Sequence, residues 1–591
     1  MRMHVEHDRP AARPPLRRVL AEFRPHRRTA ALAAAGVAVM TVSIVLMPLV
    51  VELVVDHGVV GHSTQWVWGC TIAAAVLVIG QVVGNWLEVA NMGRFAEQYL
   101  RALRGSLVEQ LYSLDLDYFT HEPAGRLVSR LTSDVENLQQ FVQAGMSLVL
   151  RAGLVLVLTV TLMFTQSVRL TLAVLVILPL LAAASAWYRP RAFAVQMRIR
   201  ETTATMLTHV NESLVGMRVV QAFAIEDDQH EVFRDVNFDT YEAKRRSGTV
   251  AALYYGAIEF LVPIALAILI TYGAHLVEHG TIKVGVVIAF SLYVNRLFEP
   301  IQQFTELTSL LQSAGASFAR VFEFRAVVPK VTDRPGAVDF VHRAGAVRFD
   351  HVTFRYDTDG PAALSDVDLV IPPRQRVAVV GTSGAGKSTF AKLVARFYDA
   401  SDGVVTIDEQ DVRMVTGSSL RSHVIVVPQE GFLFDGTVAE NVAAARPEAS
   451  REEIEAACVA MGLAGRIAAI PGGLDAVVAN RGLTLSSGQR QLVALARAFL
   501  AEPSVIVLDE ATSNLDPATD ALVERAMQTL LADRTAIVIA HRVNTAIRAD
   551  RVLVFEHGVV VEDGVPTELA VVEGGAFARW VDAARQAAAT A

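Results

Sequence analysis

The sequence is poor in cysteine and in charged residues. Its 591 residues include two cysteines, Cys70 and Cys458, which lie in separate regions and outside any CxxC or metal-ligand cluster. No disulfide framework or structural zinc site is therefore predicted, and both thiols are expected to be reduced packing residues. Charged residues make up 19% of the chain and the net charge is −8. No basic stripe with interleaved aromatics is present, which argues against a nucleic-acid partner.

The sequence is rich in hydrophobic residues, which make up 52% of it and are unevenly spread. Residues 29–310 hold nearly all the long apolar runs, whereas residues 345–591 resemble a soluble enzyme. A chain of this length is expected to form at least two domains. A membrane-spanning helix needs ~20 mostly apolar residues. Six segments meet or approach this length: Ala30 to Val55, Gln65 to Val89, Phe141 to Phe164, Leu170 to Tyr188, Val250 to Tyr272 and Val284 to Phe304.

Basic residues predict the orientation of these segments. The first 28 residues contain eight arginines, and the long connections 94–140 and 189–247 are rich in arginine. The turn 57–64 has no Arg or Lys, and the other two turns have one each, Arg169 and Lys283. The positive-inside rule therefore places both ends of the chain and both long connections in the cytoplasm of a cell whose inner (plasma) membrane is spanned.

The arginine-rich N-terminal segment has an apolar helical face formed by Leu16, Val19, Leu20 and Phe23. This pattern predicts a helix lying on the inner leaflet, and a disordered basic tail is the alternative. The two long connections alternate apolar and charged faces, in 114–141 and again in 211–233. Helices that extend beyond the bilayer and turn back would present short contact helices far from the membrane.

Several charged residues lie inside or near the predicted spans. Because an unpaired charge in lipid is costly, they should face protein or water. They either line a polar substrate pathway, or they lie in helix extensions and pair with one another. These residues are Glu52, Glu88, Arg151, Glu259 and Arg296.

The stretch GTSGAGKST at 381–389 matches G-x-x-x-x-G-K-[ST] without a gap. RVAVV (376–380) before it predicts a buried strand, and FAKLVARFY (390–398) after it predicts a helix. Such a loop points backbone N–H groups at phosphates, and the helix N-terminus adds partial positive charge. We expect Lys387 to contact the β- and γ-phosphates and the Ser388 hydroxyl to bind Mg²⁺.

Two further strands are predicted to end in catalytic residues. SVIVLDE (504–510) ends in Asp509, placed to bind Mg²⁺ through water, and Glu510, placed to polarise the attacking water as general base. TAIVIA (535–540) ends at His541, placed to sense the γ-phosphate. Ligands bind at this edge of open α/β sheets.

Together, these motifs resemble those of the ATP-binding cassette (ABC) transporters. LSSGQRQLVALARAFL (485–500) looks like the family's signature and the helix after it, and SNLD (513–516) like the loop after the catalytic carboxylate, with Asp516 its acidic residue. The resemblance implies that Gln429 contacts Mg²⁺ and that Tyr356 stacks on adenine. It implies ATP and Mg²⁺ as cofactors. The implied nucleotide contacts are Tyr356, Gly381, Thr382, Ser383, Gly384, Ala385, Gly386, Lys387, Ser388, Thr389, Ser486, Gly488 and Gln489.

The first half resembles the exporter branch, in which six helices are fused N-terminal to the cassette. The expected fold is thus a membrane α-helical bundle of six transmembrane helices plus an α/β P-loop NTPase domain. The predicted organisation is a cytoplasmic segment (1–28), a transmembrane domain (29–320), a linker (321–344) and a nucleotide-binding domain (345–591).

The resemblance also implies a dimer, because each ATP would lie between one P-loop and the partner's signature, with Ser486, Gly488 and Gln489 acting in trans. Two positions depart from the family pattern: Ser487, where the signature usually has Gly, and Asn480, where an acidic residue is usual. Both raise the odds of a different partner subunit, so a homodimer and a heterodimer stay open.

The leading functional hypothesis is ATP-driven export of a small amphipathic compound, such as a drug, a lipid or a secondary metabolite. Uptake through the same architecture is one alternative, and a nucleotide-gated or regulatory subunit that does not pump is another. An intact Glu510 and His541 argue against the last.

Overall fold

The computed structural model describes the backbone of residues 24–357, 359–429, 431–468, 471–479, 482, 485–509, 517–540 and 542–590. The chain divides into two compact units, each of which is described by itself. The helical unit contains Met1–Tyr112 and Gly125–Ala326, and the sheet unit contains Ser113–Ala124 and Val327–Ala591. The N-terminal interfacial helix was predicted mainly on residues 1–23, which lie outside the described residues.

Long helices dominate the part of the chain before Ala326. In chain order they are α1 (Arg27–Leu53), α2 (Thr64–Ser113), α3 (Leu116–His121), α4 (Ala124–Leu131), α5 (Ser133–Gln140), α6 (Met146–Gln166), α7 (Val168–Leu175), α8 (Ile177–Val215), α9 (Met217–Phe223), α10 (Glu226–Glu278) and α11 (Val284–Ala326). A 3₁₀ turn (Arg24–His26) precedes α1, and π-helical turns at Val54–Val59 and Phe141–Gly145 extend α1 and join α5 to α6. The helix predicted to be the sixth span runs on to Ala326.

Five stretches of helix among the described residues are long and apolar enough to cross a membrane. They are Arg27–Val59, Thr64–Ser113, Ala124–Gln166, Val168–Val215 and Glu226–Glu278, and they contain the first five predicted spans. In α11 the described apolar stretch is Val284–Phe298, which is shorter. The sixth span therefore stays a prediction.

Apolar side chains of the helical unit are both buried and exposed. One buried cluster joins α1, α6, α10 and α11 and includes Val45, Met163, Leu269 and Phe290. In contrast, α2 exposes large apolar residues at helical spacing along one face, namely Ile72, Val76, Ile79, Val83 and Trp86. An exposed stripe of this length would be unfavourable in water and is favourable against lipid or a partner subunit.

The structure shows hydrogen-bond partners for some of the charged residues in the predicted spans. Arg151 Nη2 donates to Glu88 Oε1 at 2.5 Å, and the Gln166 side chain donates to Glu52. Glu259 is exposed in the single chain. The pairing that the sequence left open is thus observed for Glu88 and Arg151.

The sheet unit is an α/β domain with a six-stranded sheet at its centre. Its strands are β1 (Val347–Phe354), β2 (Leu364–Ile371), β3 (Arg376–Gly381), β4 (Asp402–Ile407), β5 (Gln410–Asp411), β6 (Val424–Val427), β7 (Gly436–Thr437), β8 (Val477–Val478), β9 (Val505–Asp509), β10 (Thr535–Ile539), β11 (Arg551–Glu556) and β12 (Val559–Gly564). The three strands predicted around the nucleotide site are confirmed as β3, β9 and β10.

The helices of the sheet unit cover the sheet and connect its strands. After α3 they are α12 (Lys387–Val394), α13 (Gly417–His423), α14 (Val438–Ala443), α15 (Arg451–Ala460), α16 (Ala464–Ala468), α17 (Ser487–Leu500), α18 (Pro517–Leu531), α19 (Val543–Ile547), α20 (Pro566–Leu569) and α21 (Ala576–Thr590), with a 3₁₀ turn at Gly473–Asp475. The helix predicted through residue 398 is shorter than expected, because α12 gives way to a left-handed residue at Arg396 (φ 49°).

The central sheet has the strand order β12-β11-β3-β10-β9-β6, and its neighbours are parallel except for β12 against β11. Val377 and Ala378 of β3 point to opposite faces and are both fully buried, as expected of a parallel strand covered on both faces. A separate antiparallel sheet has the order β2-β1-β4-β5, and β7 pairs with β8. The parallel strands bring their carboxyl ends to one edge, which positions the site described next.

Candidate nucleotide site

The loop between β3 and α12 is the centre of the candidate site. Its path depends on glycine, because Gly381 has φ 148° and Gly386 has φ 104°. A Cβ on Gly381 would lie 2.2 Å from the Phe555 carbonyl oxygen, and one on Gly386 would lie 2.7 Å from the Ala363 carbonyl oxygen. The loop therefore packs against neighbouring backbone and delivers the chain to the first residue of α12, where helix N–H groups and the helix dipole favour an anion.

Lys387, the first residue of α12, folds its side chain back over this loop. The ammonium donates to the carbonyls of Gly381 and Thr382 at 2.9 and 2.8 Å, and the residue is 7% exposed. Burial lowers the pKa of Lys387 from its ordinary value, and the nearby Asp509 carboxylate opposes that shift. A buried cation held at the mouth of a Gly-rich loop is suited to phosphate oxygens.

The remaining loop residues divide into exposed and buried positions. Thr382, Ser383, Gly384 and Ser388 are exposed, whereas Ala385 and Thr389 are buried. The exposed residues are accessible to a ligand. The Thr389 hydroxyl is instead 3.0 Å from the Tyr356 hydroxyl, so Thr389 joins the loop to the aromatic group beside it.

The strand register places the second predicted group at the same edge as the loop. In the parallel sheet Ile539 of β10 lies between Val379 of β3 and Asp509 of β9. Asp509 is half-buried at the end of its strand, and its negative charge opposes the lowering of the Lys387 pKa. Glu510, His541, Asp516 and Asn480 lie outside the described residues, so their predicted roles stay predictions.

Gln429 follows the neighbouring edge strand. Val427, the last residue of β6, pairs with Leu508 of β9, so Gln429 follows the carboxyl end of its strand as Asp509 ends its own. Gln429 is exposed. The sheet therefore brings Gly381, Asp509 and Gln429 to one edge.

Tyr356 belongs to an aromatic cluster that sequence reasoning found only in part. The Tyr398 ring meets Tyr356 edge-on at 5.3 Å, and Lys392 Nζ lies 5.7 Å from the Tyr356 ring centroid. Tyr398 and Lys392 were missed because a single aromatic or basic residue in a helical stretch carries no motif. The signal available was their position directly after the Gly-rich loop.

The signature-like segment forms the start of α17. Ser486 is its N-cap: the Ser486 Oγ accepts from the Gln489 N–H at 3.2 Å, and Gln489 Oε1 accepts from the Ser486 N–H at 2.8 Å. This reciprocal capping box uses both side chains to fix the helix start. Ser487 is the first helical residue and is exposed, and Gly488 is buried. A fixed helix N-terminus is thus present where the resemblance implies a phosphate contact.

Comparison with known proteins agrees with the fold. The family model of the ABC transporter transmembrane region matches residues 31–301, and the family model described as ABC transporter matches residues 364–513. An ABC transporter ATP-binding protein of Bacillus subtilis, YknV, is 34% identical over 568 residues, which is 96% of this chain and 94% of that protein.

Two further proteins extend the comparison. The multidrug efflux ATP-binding/permease protein Rv0194 of Mycobacterium tuberculosis is 34% identical over 573 residues, 97% of this chain but 48% of that protein, so the chain spans about half its length. The structure of a bacterial Atm1-family ABC exporter with ATP bound superposes with a TM-score of 0.77 at 26% identity, covering 95% of this chain and 98% of that one.

The chain belongs to the ABC transporters. It has the exporter type of architecture, with a multi-pass transmembrane region and an ATP-binding domain fused in one polypeptide. Its activity is ATP hydrolysis coupled to transport, and the half-transporter architecture implies dimerisation with another half-transporter.

Proposed function

We propose that this half-transporter exports small amphipathic molecules across the inner (plasma) membrane, with its sheet unit and N-terminus in the cytoplasm. The observation that carries the proposal is the loop between β3 and α12, with buried Lys387 beside Asp509, in a chain whose other unit has apolar spans. The arginine-rich connections support the orientation. The multidrug efflux relative supports export and an amphipathic substrate.

The ATP site is proposed to act mainly by placing charge around the transferred phosphate. Lys387 and the N–H groups of the loop would hold the β- and γ-phosphates, and Glu510 would orient and polarise the attacking water. His541 would contact the γ-phosphate from the end of β10. The adenine would stack on Tyr356, whose orientation is fixed by Thr389 and Tyr398.

The residues at the sheet edge fit Mg²⁺. The exposed Ser388 hydroxyl, the Asp509 carboxylate and the Gln429 amide offer hard oxygen donors, which Mg²⁺ prefers. When bound, Mg²⁺ would neutralise charge on the β- and γ-phosphates. Asp509 would hold Mg²⁺ and Lys387 would hold the phosphates, so these two residues would set the distance between the metal and the phosphate groups.

A second half-transporter is proposed to complete each ATP site. The start of α17 supports this, because the first backbone N–H groups of a helix have no partner within the helix and the capping box fixes their direction. Ser486, Gly488 and Gln489 would then meet the partner's ATP. Native mass spectrometry of the purified complex distinguishes a second copy of this chain from a different subunit as the partner.

The segment Ser113–Ala124 is proposed to link ATP hydrolysis to transport. It lies between α2 and α4 in the chain, yet it belongs to the sheet unit, where Lys330 Nζ donates to Asp117 Oδ2 at 2.6 Å. Asp115 Oδ2 accepts from the Val331 N–H at 3.3 Å. Because the backbone is continuous, a displacement of this segment would be passed to α2 and α4.

Reconstitution in sealed vesicles tests the proposed function. With a fluorescent lipophilic dye and a short-chain fluorescent phospholipid as probes, we expect ATP-dependent movement of probe away from the side that carries the sheet unit. Glu510→Gln should abolish turnover and transport while ATP stays bound. Glu573→Gln, at an exposed position of the sheet unit, is the matched control and should retain both.

The alternatives predict different outcomes in the same vesicles. Movement toward the side of the sheet unit would show an importer. ATP hydrolysis with neither probe moved, or transport unchanged in Glu510→Gln, would contradict the export proposal and favour a regulatory subunit.

A further inference from the structure

The last turn of α10 carries three metal-ligating side chains on one face. His275, Glu278 and His279 have the spacing i, i+3, i+4, and their donor atoms lie within 4.8 Å of one another. All three residues are exposed, and the His275 and His279 ring centroids are 4.2 Å apart. Two imidazoles at i and i+4 on one helical face form a well-known zinc-binding spacing, and carboxylate oxygen is a third ligand type that zinc accepts.

A hydrogen bond fixes the tautomer of one imidazole in a form that binds metal. His279 Nδ1 lies 2.8 Å from the His275 carbonyl oxygen, which can only accept, so Nδ1 carries the proton. Nε2 of neutral His279 is then left with its lone pair directed outward. Metal-ligating histidines almost always donate their other ring N–H to a carbonyl or carboxylate in this way.

The position at a helix end adds a favourable field. α10 ends at Glu278 and His279 is its C-cap, so the partial negative charge of the helix C-terminus lies beneath the three side chains. That field favours a cation. Together with the Glu278 carboxylate, it partly offsets the charge of a divalent ion.

We propose that His275, Glu278 and His279 bind a divalent transition-metal ion of the zinc class. Tetrahedral zinc with ligands at ~2.1 Å separates its donor atoms by about 3.4 Å, so small side-chain rotations close the observed arrangement around an ion. Imidazole nitrogens select Zn²⁺, Ni²⁺ or Cu²⁺ over Mg²⁺ and Ca²⁺, which prefer oxygen. The site is therefore chemically distinct from the Mg²⁺ position proposed at Ser388 and Asp509.

Three protein ligands leave one coordination position open. The three side chains are exposed at the end of α10. Water or a small anion can therefore reach the fourth position. A bound ion would also clamp the last turn of α10, just before the connection to α11, on the outer side of the membrane in the orientation proposed above.

Zinc titration of the full-length protein tests this site. The protein is placed in nanodiscs, its affinity tag is removed, and Zn²⁺ is titrated against a chromophoric chelator in nucleotide-free buffer with Mg²⁺ present. We expect one competing site per chain. His275→Ala and His279→Ala should each weaken Zn²⁺ binding by at least about tenfold, and Glu278→Gln by less.

Control variants separate this cluster from other histidines. His4→Ala/His7→Ala removes a second histidine pair of the same chain, and it should leave the site intact. Thermal unfolding and basal ATPase activity of every variant should match the parent, which excludes misfolding. Parent-like affinity in His275→Ala/His279→Ala, or no competing site in the parent protein, would overturn the proposal.

Discussion

The Lys330 ammonium donates to the Asp117 carboxylate at 2.6 Å within the sheet unit. Asp117 has a buried side chain, whereas that of Lys330 is 67% exposed. Asp117 is the main cause that raises the pKa of Lys330, so the lysine is charged throughout the physiological range. The contact attaches α3 to the segment after α11 through one charged pair.

We predict that Lys330→Met loosens α3 without unfolding the protein. The substitution leaves the buried Asp117 carboxylate without its lysine partner, which should cost about 1–3 kcal/mol and destabilise α3 locally. Amide hydrogen exchange across Leu116–His121 should become faster, and ATPase activity stimulated by substrate should fall more than basal activity. Arg421→Met, an exposed cation of the same unit, is the control. Unchanged exchange in α3 would show that Lys330 does not hold this helix.

A second prediction concerns Arg396, a guanidinium that is 1% exposed. It donates to the carbonyls of Val415 and Thr332 at 2.7 and 3.0 Å and contacts Asp333 at 3.3 Å. Arg396→Met leaves the Val415 carbonyl without this donor and releases the segment before β1. We expect a loss of about 3 kcal/mol in the stability of the sheet unit.

Trp580 is the one tryptophan of the sheet-unit sequence, and its fluorescence reports that loss in a background whose other four tryptophans are replaced by phenylalanine. Denaturant unfolding of the full-length protein should shift to lower concentration in Arg396→Met and stay in place in Arg421→Met. An equal midpoint in the parent protein and Arg396→Met would mean that the buried guanidinium contributes no net stability.

Sequence patterns predicted the strands and the loop at the carboxyl edge of the central sheet, because each is encoded by a short run of consecutive residues. RVAVV, SVIVLDE and TAIVIA each became a strand of the central sheet, and the loop that begins at Gly381 has the predicted strand and helix beside it. Contacts between distant residues left no local pattern. Arg396 with Asp333, Tyr398 with Tyr356, and Lys330 with Asp117 depend on tertiary packing, and so does the membership of Ser113–Ala124 in the sheet unit.

Gly386→Ala is predicted to weaken ATP binding by more than about tenfold through backbone strain. Its φ is 104°, and the added Cβ would meet the Ala363 carbonyl at 2.7 Å and the Leu364 side chain at 2.8 Å. Gly465→Ala is a matched control, since its Cβ would meet no atom within 4 Å. Binding of a fluorescent ATP analogue measures the effect, and equal affinities for the two variants would contradict it.

His423 should make the stability of the sheet unit depend on pH. Burial lowers the pKa of His423 below 6.5, the nearby His342 lowers it further, and Asp408 opposes both. The unfolded chain therefore binds the proton more readily than the folded one. The contribution of His423 to the free energy of unfolding is fully present above pH 6.5. It declines as the pH falls below that value.

The dependence of stability on pH is measured from denaturant unfolding midpoints between about pH 7.5 and about pH 5.5. His423→Gln should flatten it, although the variant also loses contacts with Phe340 and His342. His557→Asn is the control, because His557 is exposed and its φ of 49° suits asparagine. A slope that persists in His423→Gln would assign the pH dependence to another group.

The last prediction concerns the ion pair between Glu88 and Arg151. Glu88 is 4% exposed and Arg151 is its cationic partner at 2.5 Å. Arg151→Leu would leave a buried carboxylate without a counterion, which costs about 3 kcal/mol or more. Glu88→Leu should cost less, because the Arg151 side chain is longer than that of Glu88 and is 31% exposed.

A double-mutant cycle separates the cost of a stranded charge from the contribution of the pair. Glu88→Leu/Arg151→Leu should be more stable than Arg151→Leu alone, since two apolar side chains need no counterion. The fraction of protein that stays monodisperse after heating in detergent measures each variant, and Glu97→Gln, at an exposed position of the same helix, is the control. A double variant less stable than both single variants would instead show that the pair is coupled to further polar groups of the helical unit.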